Sequence, residues 1–356
     1  MPSWVCYRTV KHAEWTVVMV APEDLIHRHG RMLNTTILAV MLIGLAAIYL
    51  FCRQQIRKIT SPLHRFAHSA EEVAKGNFEA PLPDIRDDDE IRLLRDSFGN
   101  MQQSLGQYID ELKTTTAQKS AIESELSVAR RIQMSMLRTD IPERPDLLID
   151  AMLNPAKAVG GDLFDFFVRD DRLYFCIGDV AGKGVPAALV MTTVCGAFRL
   201  LAESEPEPVR IVSRMNDMIL RNNSMTIFVT FFAGVLDLGT GHLRYCNAGH
   251  IAPLVDGQPL PVNSNLPIGA MPDWEFEAQE ADLAPGSTIF LYTDGLNEAE
   301  DAVHKLFGTK RVIEVMQTSS PQPHALIERM TQAVADFVGD TEQSDDLTML
   351  AMQWKK

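Results

Sequence analysis

Hydrophobic positions change their rhythm along this chain. Residues 32–52, MLNTTILAVMLIGLAAIYLFC, form an uncharged run bracketed by Arg31 and Arg53. As a helix this window is about 30 Å long, enough to cross the hydrocarbon core of a bilayer. A cleaved leader fits poorly, because the run is too long and residues 1–31 precede it. A buried soluble helix is seldom apolar all round. Further on, Leu105, Tyr108, Leu112, Thr115, Lys119, Ile122, Leu126, Ala129, Gln133 and Met136 follow one another at spacings of three and four. That spacing predicts a coiled-coil seam. Thr115, Lys119 and Gln133 are polar seam positions, which lower stability and fix register, so a marginally stable dimeric stalk is expected. Both a plain spacer and a rod that changes packing fit this pattern.

From residue 147 the rhythm changes again. Short apolar runs, DLFDFFV, LYFCIGDV, TIFVTFFAGVLD, LRYCNAGH, STIFLYTDG and DLTMLAMQW, alternate with turn signals. Hairpin turns are expected at 169–172 (RDDR), 237–242 (DLGTGH) and 256–259 (DGQP), and helices at about 186–203, 207–222 and 321–338. The fold class is therefore α+β, an antiparallel sheet core with helices packed outside.

Between these regions, RKITSPLHRFAHSAEEVAKGNFEAPLP and DDDEIRLLRDSFGNMQQSL read as two amphipathic helices around a connector, with Pro62 near the first start and Asp87–Asp89 before the second. Directly after a span, this arrangement resembles a HAMP domain. Ahead of the span, YRTVKHAEWTVVMVAPEDLI reads as a single strand-like run without a partner strand. It is similar to the closing segment of Cache sensors, and a truncated extracytoplasmic sensor tail is expected there. The expected boundaries are 1–31 for that tail, 32–52 for the span, 53–105 for the HAMP-like helices, 106–140 for the stalk and 147–356 for the sandwich. Pro142 and Pro145 are expected to stop the stalk helix.

A formal net charge of −14 argues against a nucleic-acid surface. The five cysteines include no CxxC pair, and Cys176, Cys195 and Cys246 sit in apolar runs where thiols pack as small hydrophobes. Arg28 and Arg31 nearly balance Arg53, Arg57 and Lys58, so charge does not orient the span.

The candidate chemistry lies in acids at strand ends. Asp179 closes LYFCIGDV and is followed by AGKG. A Walker loop would need Ser or Thr after the lysine, and Lys183 is followed by Gly184. Asp162 follows two glycines, Asp294 stands in YTDG, and Asp345 and Asp346 open the last strand. Such carboxylates gathered at one edge would repel one another, so a shared site implies bound cations, with Mg²⁺ or Mn²⁺ preferring these oxygen donors. His250, in NAGH, has no second ligand at metal spacing and reads as a structural histidine.

The segments NPAKAVGGDLFDFF, GDVAGKGVPAAL, TIFVTFFAGVLD, YCNAGHIAPLV, LPIGAM, LYTDGLNEAED and QSDDLTML, with the lead-in ELSVARRIQMSML, resemble the successive motifs of the SpoIIE/RsbU-type PPM serine/threonine protein phosphatases. The resemblance runs from about 125 to 356. It implies a PPM-type antiparallel β-sandwich and two divalent cations, Mn²⁺ or Mg²⁺. Their ligands would be Asp162, Asp179 as the bridging acid, the backbone carbonyl of Val180, Asp294 and Asp345, with Asp346 and Asp165 supporting them. Gly182 and Gly184 would let the chain turn into a helix while Asp179 stays aimed at the metals. Catalysis would proceed through a metal-activated water attacking phosphorus directly, without a covalent enzyme intermediate.

The sequence departs from the pattern in two places: Ala181 stands where eukaryotic relatives carry a histidine, and Arg138 where the lead-in often has proline. Lys183 reads as a solvated lysine. The resemblance further implies a phosphorylated protein substrate, an anti-sigma-factor antagonist by kinship, and such a substrate places the phosphatase domain in the cytoplasm. The helical seam predicts a homodimer through the stalk, and the apolar run a single-pass anchor in the inner (cytoplasmic) membrane. An inactive phosphatase-like adaptor is the alternative, and it is disfavoured because all four metal acids are kept. A histidine kinase would share the span, the HAMP-like helices and the stalk but would need a phosphoacceptor histidine on the stalk and an ATP-binding module, and residues 104–140 contain no histidine.

Overall fold

The computed structural model describes residues 2–11, 14–85, 90–137, 140, 144–222 and 227–356. The expectations that rest on Asp87–Asp89, Arg138 and Pro142 lie outside them. The chain divides into two compact units, Met1–Ala117 and Gln118–Lys356.

In the first unit, β1 (Ser3–Thr9) and β2 (Thr16–Pro22) pair antiparallel, with Tyr7 opposite Val18. This corrects the expectation of a single unpartnered strand. The partner comes from SWVC, upstream of the window that reads as one run, and Val10 N–H closes the turn on the Trp15 carbonyl at 3.0 Å. Helix α1 (Glu23–Ala74) then continues without interruption from the apolar run into the first amphipathic stretch. Pro62, expected near a helix start, lies inside it, and the helix continues past a position that cannot donate a backbone bond. Side chains across 32–52 are mostly exposed, and the most apolar window of this part of the helix has a mean hydropathy of 2.4.

Helix α2 (Glu90–Met136) carries the expected second amphipathic stretch straight into the stalk. Phe66 and Phe98 meet edge to face at 6.1 Å. Gln102, buried, donates to the carbonyls of Phe78 at 2.8 Å and Ala80 at 2.9 Å, pinning the connector between the helices. The stalk seam residues Leu105, Tyr108, Leu112 and Ile122 are exposed.

The second unit is a sandwich of two antiparallel sheets. Its strands are β3 (Leu147–Asn154), β4 (Leu163–Arg169), β5 (Arg172–Val180), β6 (Val229–Asp237), β7 (His242–Ala248), β8 (Leu254–Val255), β9 (Gln258–Pro259), β10 (Gln279–Asp282), β11 (Thr288–Tyr292) and β12 (Leu347–Trp354). One sheet has the order β10-β7-β6-β5-β4 and the other β3-β12-β11-β8-β9. Helices α3 (Val185–Ala202), α4 (Pro208–Asn222), α5 (Asp294–Asn297), α6 (Thr309–Thr318) and α7 (Pro323–Val338) complete the unit. The three expected hairpins form. Asp170 and Asp171, and likewise Asp256 and Gly257, take the paired positive φ of a two-residue type I′ turn.

Strand β3 and helix α6 were not legible in the sequence. Strand β3 alternates weakly because it is an edge strand, and α6 commits only Val312 and Met316 to the core. Helix α3 is apolar enough to span a membrane, but its Met191, Val194 and Phe198 are fully buried, as a core helix requires. Phe232, which has no exposed surface, stacks between Phe175 at 6.1 Å and Tyr245 at 5.6 Å. Truncating it removes both contacts and leaves a cavity. Phe232→Ala should therefore destabilise the sandwich by about 3–5 kcal/mol in urea unfolding at unchanged m-value.

Candidate active site

Asp162 stands just before β4 and Asp179 near the end of β5, and pairing of Leu163 with Gly178 sets the two acids side by side in one sheet. Asp294 opens α5 just after β11, and Asp345 lies just before β12. Pairing of Tyr292 with Met349 brings those two together in the other sheet. Asp162 joins the pairs. Its Oδ2 accepts from Thr293 Oγ1 at 2.7 Å and from Thr348 Oγ1 at 2.5 Å, both on the opposite sheet's strand ends. The Thr348 N–H in turn donates to Thr293 Oγ1 at 3.2 Å, which fixes that hydroxyl's orientation.

The acids feel one another. Burial, and next the Asp179 carboxylate, push Asp162 well above the ordinary carboxylate range, against the two threonine hydroxyls. Asp179 is raised to about 7, first by burial and then by Asp294, with Asp345 and Asp346 pushing the same way and a hydrogen bond with Asp162 opposing. Asp294 is raised by burial and next by Asp345. Like charges in a low-dielectric setting keep their protons unless a cation replaces them.

Asp345 already has a cation. Lys183 Nζ lies 2.8 Å from its Oδ2 and donates to the Ser344 carbonyl at 2.9 Å. The sequence reading of Lys183 as a solvated lysine is corrected: it is about half exposed but ion-paired. Gly182 and Gly184, at φ +106° and +79°, make the turn that brings it there and starts α3.

Among the described residues, no three His, Cys, Asp or Glu side chains yet converge as a metal chelate. Asp162 is turned to its threonines and Asp345 to Lys183. The donor set nevertheless fits Mg²⁺ or Mn²⁺: hard carboxylate oxygens with excess negative charge, together with the Val180 carbonyl, which packs so close to Gly161 that a Cβ there would lie 3.1 Å away.

The supporting acids have their own partners. Asp346 accepts from the Ala156 N–H at 2.8 Å and the Gly161 N–H at 2.7 Å, so it shapes the loop that carries Asp162. Gly295 lacks a side chain because the Asp346 carbonyl occupies that space. Asp165, fully buried, is ion-paired with Arg199, which also donates to the Met136 carbonyl at 2.6 Å. Gln133 departs from its expected place on the stalk seam. It is buried, donates to the Gly160 carbonyl at 2.7 Å and accepts from the Gly160 N–H at 3.2 Å. Thr293, Thr348 and Gln133 went unread as site residues, although each threonine stands beside or close after an acid, in TDG and DDLT.

His250 is buried, and burial lowers it to about 4, so it is neutral near pH 7. Its Nδ1 lies 2.9 Å from Thr230 Oγ1, whereas Nε2 has no hydrogen-bond partner among the described residues. Its partner Thr230 lies opposite Asp179 in the pairing of β5 with β6.

Residues 169–355 match the model for "Stage II sporulation protein E (SpoIIE)" and residues 55–107 match the HAMP domain. The chain belongs to the SpoIIE family. It thus has a PPM-type phosphatase fold and a HAMP domain. Protein IcfG of Synechocystis sp. (strain ATCC 27184 / PCC 6803 / Kazusa) is 28% identical over 334 residues, covering 83% of this chain and 52% of IcfG. The chain thus spans about half the length of that relative. Phosphoserine phosphatase RsbU of Bacillus subtilis (strain 168) is 26% identical over 257 residues, covering 70% of this chain and 76% of RsbU. Among solved structures, the SiaA-PP2C domain of Pseudomonas aeruginosa shares the fold with a TM-score of 0.57 at 24% identity, covering 67% of this chain and 98% of that domain.

Because both threonines serve one buried carboxyl, Thr348→Val leaves Asp162 short of a donor. It should lower stability by about 1–3 kcal/mol in chemical denaturation, while Thr348→Ser should restore most of the loss.

Proposed function

We propose that this SpoIIE-family chain is a membrane-anchored, divalent-metal-dependent phosphoserine/phosphothreonine protein phosphatase in bacterial signalling. The observation that carries the reading is the tie from Asp162 to Thr293 and Thr348, which joins the acids of one sheet to those of the other. Asp162, Asp179, Asp294, Asp345 and the Val180 carbonyl would hold Mn²⁺ or Mg²⁺, which when bound supplies Lewis acidity toward phosphoryl oxygens and water.

The chain's own groups set the rest. The Thr293 and Thr348 hydroxyls hold the Asp162 carboxyl at the junction of the two sheets. The Asp346 carboxylate holds the loop before Asp162 through two N–H groups, so that acid approaches along a fixed path. Lys183 keeps a positive charge at the mouth of an otherwise acidic site, where a phosphate dianion must enter. Position 181 is a methyl group whose N–H is bonded to the Phe228 carbonyl at 2.9 Å, so no imidazole there protonates the leaving serine.

The substrate is a phosphoprotein by kinship with phosphoserine phosphatase RsbU, and an anti-sigma-factor antagonist is its proposed identity. The exposed apolar stretch at 32–52, followed by the HAMP match, supports a single-pass anchor with the phosphatase on the cytoplasmic side. The exposed seam residues of α2 support a homodimer through the stalk.

The test is hydrolysis of a phosphoserine peptide by the purified protein. Turnover should require added Mn²⁺ or Mg²⁺ and vanish with EDTA. Asp179→Asn and Asp294→Asn should each cut it by about a hundredfold or more with the circular dichroism unchanged. Metal-independent turnover would count against the reading. A second test concerns the stalk, in a background with the exposed Cys6 and Cys52 replaced by serine. Disulfide locking through Leu112→Cys or Ile122→Cys should change the phosphatase rate. Equal rates in the locked and reduced forms would reject control by stalk packing.

A further inference from the structure

Next to the four acids, a pocket of about 250 Å³ opens between α7, the end of α5 and the loop before β12. Gly295 and Ser344 line it, so its wall is continuous with the backbone that carries Asp294 and Asp345. Val334, Val338 and Leu347 form an apolar part of the lining, and Glu300 and Glu342 place carboxylates around it. The lining includes no lysine or arginine. Glu300 holds the exposed His304 at 2.8 Å, whereas Glu342 has no ion-pair partner among the described residues.

One wall is rigid. Gln343 donates to the Asn154 carbonyl at 2.8 Å and to the Asp345 carbonyl at 2.6 Å, and its Oε1 accepts from Asn154 Nδ2 at 2.8 Å. The pocket is thus preformed and shares that wall with the proposed ligand Asp345. It is also smaller than the roughly 300–1,000 Å³ of sites for whole small molecules, and it suits a single long side chain.

We propose that this pocket receives a lysine or arginine side chain of the phosphoprotein substrate, close in sequence to the phosphoserine. The assignment rests on the phosphatase reading above. The methylene stem lies on Val334, Val338 and Leu347, as long basic side chains do on apolar surface, and the charged head meets Glu342. A phosphoserine alone would approach a strongly acidic surface, and a neighbouring cation offsets that repulsion and fixes which serine is presented. An apolar side chain would use the floor but leave the carboxylates desolvated without a partner.

The test uses the full-length protein in detergent with Mn²⁺ and compares p-nitrophenyl phosphate with phosphoserine peptides carrying Arg, Leu, Ala or Glu at each position flanking the phosphoserine. The Arg peptide of one register should exceed its Ala counterpart by about tenfold in kcat/KM, and Glu342→Lys should abolish that preference and favour the Glu peptide instead. Val338→Trp, which fills the pocket, should lower kcat/KM for the Arg peptide by a similar factor. Both variants should turn over p-nitrophenyl phosphate, which has no side chain to place there, at the wild-type rate. A wild-type preference for Leu over Arg, no preference at all, or a preference that survives Glu342→Lys would overturn the assignment. If the wild type hydrolyses neither the peptides nor p-nitrophenyl phosphate, the phosphatase reading itself fails, and this outcome is distinct from loss of selectivity alone.

Discussion

Mutual repulsion among four carboxylates is the constraint around which the second unit is built. Asp162 and Asp179 arrive from one sheet, Asp294 and Asp345 from the other, and burial raises the cost of keeping Asp162, Asp179 and Asp294 charged. Isolated strand ends would splay apart under that force. Here Asp162 is bonded across the sandwich to Thr293 and Thr348, and Asp346 clamps the loop ahead of it. Lys183 neutralises Asp345. The threonine bonds and Lys183 oppose the repulsion, whereas Asp346 orders the loop while adding to a negative charge that is still in excess.

The supporting shell reaches further than the acids. Gln133 and Arg199 tie the last turn of α2 to the Gly160 backbone and to the buried Asp165. A residue that reads as part of a repetitive helical seam therefore serves the loop before Asp162. The polar side chain at that seam position has a partner in the sandwich, which gives a reason for its polarity that periodicity alone does not.

Much of this was legible in the sequence, for identifiable reasons. Strand ends with acids, hairpins at RDDR and DGQP, and helices with strong 3.6-residue patterning carry local signals, and local signals survive in one dimension. Edge strand β3, helix α6 and the pairing of β1 with β2 carry weak ones. The grip on Asp162 was not readable, because Thr293 and Thr348 look like ordinary strand-end residues until β11 and β12 pair. The role of Lys183 was misjudged for a related reason: its partner lies 162 positions away (345 − 183) and is brought close only by the fold. The HAMP helices are legible, yet the uninterrupted run of α1 through Pro62 is not, since a proline usually marks a boundary.

The account stands or falls on whether these acids take up divalent cations together. Titration of the purified protein with Mn²⁺, followed by the loss of free-ion signal in electron paramagnetic resonance, measures this without reference to turnover. Uptake of two ions per chain, reduced in Asp179→Asn and competed by Mg²⁺, is the predicted result. A wild-type protein that leaves the free Mn²⁺ signal unchanged at neutral pH would contradict the account.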